Sequence, residues 1–199
     1  MYNVLLPTLL LFLTTAITST ATPIDLTQRD TCTTLAPSTI SILNLSTPDT
    51  PNLGTQLTLT RTTNPSRNTQ TVSLTFTNIS TTATGCILQL ALPELTAANE
   101  IASGPATQAD IWKTTPWEPA NAPTWNRPPV KDQMVATARF PTERTNEAQV
   151  SWLASGTCVE TMSFLVELSG WQDGEGNVDF VNRVDGGEGD LGFRLVYGC

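Results

Sequence analysis

The chain contains no histidine. That absence removes the chemistry that needs an imidazole titrating near neutral pH: Ser-His-Asp and Cys-His hydrolysis, histidine-held copper, and histidine general-base catalysis. Basic residues are scarce as well. Lys and Arg number 10 against 18 Asp and Glu, a net charge of −8, and the two lysines are Lys113 and Lys131. With no basic cluster to neutralise phosphates, nucleic acid and anionic membrane surfaces are poor partners. Cysteine is confined to Cys32, Cys86, Cys158 and Cys199, with no Cys-x-x-Cys and no zinc-ligand spacing, so no metal or cofactor is expected. Beyond the N-terminal region no apolar run is long enough to span a bilayer. Nor does any stretch sustain a helical stripe through three turns; the best candidate, Leu95 to Ala102, is short and stops at Gly104-Pro105.

What the chain does have begins at its first residues. After Met1-Tyr-Asn-Val comes an apolar run, Leu5 to Leu13, and then small residues up to Ala21. This is the layout of a secretory signal peptide over 1–21, with an apolar stretch too short for a transmembrane helix. The reading predicts a secreted protein with a flexible segment over 22–31 and one domain over 32–199. All four cysteines fall in that domain, and in an oxidising compartment an even count at wide spacing predicts two disulfides. Of the three possible pairings we favour Cys32 with Cys199, tying the ends of the domain together, and Cys86 with Cys158.

Period-two patterning dominates the domain. Gln56 to Thr60 alternates, and in Val72 to Phe76 the residues Val72, Leu74 and Phe76 face inward while Ser73 and Thr75 face outward. Leu88, Leu90 and Leu92 share a face, as do Met162, Phe164, Val166 and Leu168, then Val178 with Phe180, and finally Leu191, Phe193, Leu195 and Tyr197. The high threonine content favours extended backbone, because a branched Cβ fits a pleated surface. Strands with one apolar face need a second layer, so the predicted fold is an all-β antiparallel sandwich. Between Pro105 and Pro129 the pattern breaks into six prolines and three tryptophans, Trp112, Trp117 and Trp125. Proline removes ladder donors, which predicts a long irregular crossover over the sheet.

Carboxylates are the acid–base groups left. Glycoside hydrolysis needs two carboxyls facing each other, and Glu160, Glu167, Glu143 and Glu147 are the candidates. Glu160 and Glu167 have odd spacing and point to opposite faces of a regular strand, so solvated surface acids are the simpler reading. Asp173 to Asp179 alternates oxygens like a calcium loop. It has Val178 where the helix-loop-helix motif needs glycine and Val184 where it needs glutamate; with Asp185 to Asp190 it supplies hard oxygen ligands for calcium if the two turns converge, while Gly-Asp turns joining short strands are the commoner explanation. The three crossover tryptophans can stack on sugar faces or pack onto the sheet as a satellite cluster. Trp152 and Trp171 are expected in the core or at its edge. Asn44-Leu-Ser46 and Asn78-Ile-Ser80 are N-glycosylation acceptors at the ends of extended runs, whereas Asn64-Pro-Ser66 is blocked by its proline.

Taken together, Pro37-Ser-Thr-Ile after Cys32, Ser46-Thr-Pro-Asp49, the run from Cys86 to Pro93, Cys158 to Phe164 and the closing Gly192 to Cys199 carry a resemblance. The chain resembles the But-type domain, the C-terminal domain of a ubiquitin 3 binding protein, across about Cys32 to Cys199. The resemblance implies a compact β-sandwich, a filamentous-fungal source and no assigned catalytic residues. Two functions follow as expectations. The first is a non-enzymatic extracellular module binding wall, glycan or a host protein, in the manner of an effector. The second is a carboxylate-dependent glycan-active enzyme.

Overall fold

A computed structural model of the chain describes residues 32–187 and 189–199. The expected signal peptide and the 22–31 segment lie outside the described residues. Among the described residues thirteen strands build an all-β sandwich in antiparallel pairs. They are β1 (Thr33–Leu35), β2 (Thr39–Asn44), β3 (Leu53–Gly54), β4 (Gln56–Thr63), β5 (Ser66–Phe76), β6 (Cys86–Leu92) and β7 (Ala102–Ser103), followed by β8 (Gln108–Thr114), β9 (Lys131–Arg139), β10 (Gln149–Gly156), β11 (Met162–Leu168), β12 (Gly176–Val181) and β13 (Gly192–Tyr197). The smaller sheet runs β1-β13-β6-β10 and the larger β7-β12-β4-β5-β11-β8-β9. β5 is long enough to change neighbours along one edge: residues 66–70 pair with β4, and from Gln70 onward β2 takes over.

Alternation decides which side chains enter the core. Val72, Leu74 and Phe76 of β5, Phe164 and Val166 of β11, Leu57 and Leu59 of β4 and Ile40 of β2 meet Leu88, Leu90, Phe193 and Leu195 from the smaller sheet. Each such side chain contributes about 1.5–3 kcal/mol relative to an exposed position. Phe76 and Phe164 meet edge to face at 6.1 Å, and Phe140 packs between Phe180 and Phe193. Both disulfides form with the favoured pairing. Cys32 joins Cys199 with Cα atoms 4.5 Å apart, closing the ends of β1 and β13, and Cys86 joins Cys158 at 5.1 Å. Two disulfides are consistent with an extracellular protein. Among the described residues no helix is long and apolar enough to cross a membrane.

As the short apolar pattern implies, Leu95 to Ala102 forms no helix: the Glu100 carboxylate accepts the N–H groups of Thr96 and Ala97 and holds a turn, and Ala102 begins β7. Two expectations change. The crossover starts later than predicted, because Gln108–Thr114 is strand β8, inserted between β11 and β9 with Ala109 and Ile111 in the core. Trp112 therefore sits on a strand and not in a loop. Trp152 and Trp171 are also not core residues: they are 72% and 66% exposed, Trp152 on edge strand β10 and Trp171 in the turn before β12.

Candidate functional site

The crossover proper runs from residue 115 to 130 and contains a single 3-10 turn, Pro119–Asn121. It lies on the outer face of the larger sheet. That face is made of Ser41, Ser73, Thr75 and Ser163, whose hydroxyls point away from the core in strict alternation with their apolar neighbours. Outward polar residues normally meet water, yet these four are buried. Trp117 accounts for the difference. Only 7% exposed, it lays its indole on the hydroxyl row, and the indole Nε1–H donates to Ser73 Oγ at 2.7 Å. The Trp117 backbone N–H donates to Ser163 Oγ at 3.2 Å, its carbonyl accepts from Thr75 Oγ1 at 2.9 Å, and Thr75 and Ser163 share a 2.9 Å bond. Farther along, Ser41 Oγ donates to the Pro123 carbonyl at 3.0 Å, and Asn126 reaches the β2–β3 loop through the Pro48 carbonyl and Asp49.

Proline and these anchors act together. A segment this long is ordinarily expensive to order, but proline fixes φ in advance and buried hydrogen bonds hold the rest. The result is a rigid rim around an open cavity of about 580 Å³. Its wall includes Pro51, Pro116, Pro119, Pro123, Pro128 and Pro129, and the Arg127, Asn121 and Glu118 side chains supply polar groups. Proline contributes a carbonyl without an N–H. Several wall carbonyls, those of Pro123, Trp117 and Val130 among them, already accept hydrogen bonds, so the proline rings contribute mainly apolar C–H surface beside the polar residues.

The three crossover tryptophans separate. Trp117 is the buried anchor, the sheet-packing alternative. Trp125 occupies the tight turn between Thr124 and Arg127 and is half-buried. Trp112 projects from β8 on the same outer face as Trp117, with the Lys131 ammonium over its ring at 4.8 Å from the centroid. Lys131 also pairs with Glu167. Glu167 is the one candidate acid with a carboxylate neighbour across a strand pair. Its register partner on β8 is Asp110, on the same face, which accepts Ser169 Oγ at 2.6 Å. Asp110 was missed because its role depends on register, although the Asp110-x-Trp112 spacing does place both on one face of a strand. Glu160 precedes β11 in an exposed turn, and Glu143 and Glu147 are exposed between β9 and β10, so these three are not brought to Glu167.

The acidic turns near the C-terminus have partners of their own. Asp179 accepts from Gln56 and Thr58, both at 2.7 Å. Asp190 is buried and accepts the backbone N–H groups of Asp185 and Gly186 and the Arg194 guanidinium. Burial pushes its carboxyl upward, but the Asp185 N–H and the Arg194 guanidinium outweigh burial and leave the pKa below the ordinary carboxylate value. Among the described residues no three His, Cys, Asp or Glu side chains gather into a metal-holding group. Both sequons lie at strand ends: Asn44 closes β2, and Asn78 follows β5 with an exposed side chain and φ of 60°. No protein-family model matches the chain, and no curated protein matches it.

Proposed function

We propose that the chain is a secreted, non-enzymatic binding module of But-type fold whose ligand is an extracellular glycan held in the crossover cavity. The observation that carries this reading is the anchoring of the 115–130 crossover by buried hydrogen bonds to Ser41, Ser73, Thr75 and Ser163. Ordering is complete before a ligand arrives, and binding to a preformed cavity avoids that entropic cost. The C–H faces of a sugar match the apolar proline wall, and Arg127 and Asn121 complement the sugar oxygens. The leader, the disulfides and the sequons at Asn44 and Asn78 fit a life outside the cell.

The test is retention of the purified protein on insoluble chitin, glucan and mannan, with wild type compared against Arg127→Ala and Asn121→Ala. Retention by wild type that drops in both variants supports the proposal. Binding that neither substitution alters, or no retention on any polymer, refutes it.

One observation favours the enzymatic alternative: Asp110 and Glu167 face each other in register beside Trp112. Opposed residues on antiparallel strands have Cβ atoms about 4.5–5.5 Å apart, a spacing compatible with a carboxylate pair. Both acids are engaged, Glu167 by Lys131 and Asp110 by Ser169, so we place this reading second. Release of reducing sugar that Glu167→Gln abolishes would reverse the order.

A further inference from the structure

We infer that a cleft where β8 ends and β11 begins binds an aliphatic carboxylate, with Lys113 as the group that receives the acid. The cleft adjoins the crossover cavity at Pro116 and Val130 and is independent of the ligand proposed there. Composition makes the place unusual. The chain has two lysines, and folding brings both, Lys113 and Lys131, to the wall of one cleft of about 390 Å³. That volume lies in the range of small-molecule sites.

Strand alternation sets the two kinds of wall. Lys113 continues the inward period of Ala109 and Ile111, but at the penultimate position of β8 it has passed the end of the core and is exposed. Met162, the first residue of β11, closes the cleft on the core side, and Pro116, Val130 and Val159 complete its apolar wall. Val130 and Val159 are 67% and 49% exposed, apolar area that a bound hydrocarbon chain would remove from water. Both are held in place: the Val130 carbonyl accepts the Thr115 N–H at 3.0 Å, and Val159 follows Cys158 of the second disulfide. The wall therefore exists before a ligand arrives, which lowers the cost of binding.

Charge and the lack of rings choose the ligand. The Lys131 ammonium is taken up by Glu167 and by the Trp112 ring beneath it. Lys113 has no Asp or Glu at ion-pair distance among the described residues, although Asp132 lines the same cleft. An apolar wall with one uncommitted ammonium complements a molecule that is hydrocarbon at one end and anionic at the other. A carboxylate brings two acceptor oxygens to the three N–H donors of that ammonium. Among the described residues no aromatic side chain lines the cleft, so a flat ring finds no stacking partner and an aliphatic chain fits better. Because the chain carries −8, its overall field does not draw anions, and recognition falls to Lys113.

Equilibrium dialysis of the mature protein against octanoate, octanol and octylamine at fixed ionic strength tests the proposal. Octanoate should bind as a single equivalent per chain, octanol more weakly, and octylamine not at all. Hexanoate should bind about fourfold more weakly for each methylene it lacks, the factor for burying one such group. Lys113→Gln should weaken octanoate by roughly two- to fivefold and leave octanol unchanged. Arg139→Gln, which removes the same charge at the far end of β9, should leave octanoate unchanged, and Val159→Asp should abolish its binding. No octanoate binding to wild type, octylamine binding as tight as octanoate, or an octanoate affinity that Lys113→Gln leaves unaltered overturns the assignment.

Discussion

Replacing Ser73 with alanine should loosen the crossover without disturbing the core. Ser73 is fully buried on the outer face of β5, and its Oγ accepts the Trp117 indole N–H at 2.7 Å while donating to the Phe164 carbonyl at 3.3 Å. Ser73→Ala removes the acceptor and leaves a buried indole N–H without a partner. Stranding such a donor costs about 1–3 kcal/mol, against about 1 kcal/mol net for an ordinary hydrogen bond. Over a domain of this size each 1 kcal/mol lowers Tm by about 2–4 °C, so the expected drop is roughly 2–12 °C. Because the loss is local, hydrogen exchange is the sharper assay. The Trp117 and Asn126 amides, bonded to Ser163 Oγ and the Pro48 carbonyl, should exchange about fivefold to a hundredfold faster, while Leu74 and Val166 amides change only as far as global stability falls. Trp117→Phe removes the donor as well, and in the double variant the two losses should couple by at least about 0.5 kcal/mol. A Ser73→Ala protein with unchanged Tm and unchanged exchange at Trp117 and Asn126 would show that the crossover is not held as described.

Other outcomes follow from the same structure. Thr124 is fully buried and its hydroxyl has no partner among the described residues, so the isosteric Thr124→Val should raise stability by about 1 kcal/mol in urea unfolding; destabilisation would reveal a hidden partner. Non-reducing peptide mapping should recover Cys32 linked to Cys199 and Cys86 linked to Cys158. Removing either disulfide as an alanine pair should cost about 4–5 kcal/mol on the loop-entropy model, and a loss below about 1 kcal/mol would contradict it. Asp190 has a folded pKa below its unfolded value, so its contribution is complete above the unfolded pKa near 3.9 and is lost as pH falls through the lower folded value. Asp190→Asn should flatten that acid limb of the stability–pH curve, and an unaltered limb would remove Asp190 from the explanation. Limited N-bromosuccinimide oxidation should consume Trp152 and Trp171 before Trp117, and early loss of Trp117 would contradict its burial.

The parts of the fold that were legible in the sequence are the strands buried on one face and patterned on the other. β4 and β12 alternate cleanly because apolar neighbours cover one face of each, and β5, β6, β11 and β13 keep their inward period of two although their outer faces are largely buried as well. β9 and β10 resist this reading, since edge strands see solvent on more than one side and their apolar residues lose the period-two constraint. The same physics misplaces Trp152: a large indole signals burial by composition, but its position on an edge strand leaves it in water. Ser73 and Thr75 show the reverse case. Their outward direction is plain from alternation, and their burial depends on Trp117 arriving from more than forty residues away in sequence. Asp110 facing Glu167 was beyond reach for a similar reason, because cross-strand neighbours are set by register and not by spacing. Cysteine pairing was accessible because two widely spaced pairs leave few choices, and joining the chain ends is one of them.

The most direct test of the account is a backbone NMR titration of the mature protein with soluble wall oligosaccharides. The prediction is chemical-shift change concentrated in residues 116–130 and along the edge of the cavity they enclose, with the sugar's anomeric signals unchanged in number over time. Shift changes centred on Asp110 and Glu167 with new reducing-end signals, or none at 116–130 with any oligosaccharide, would contradict it.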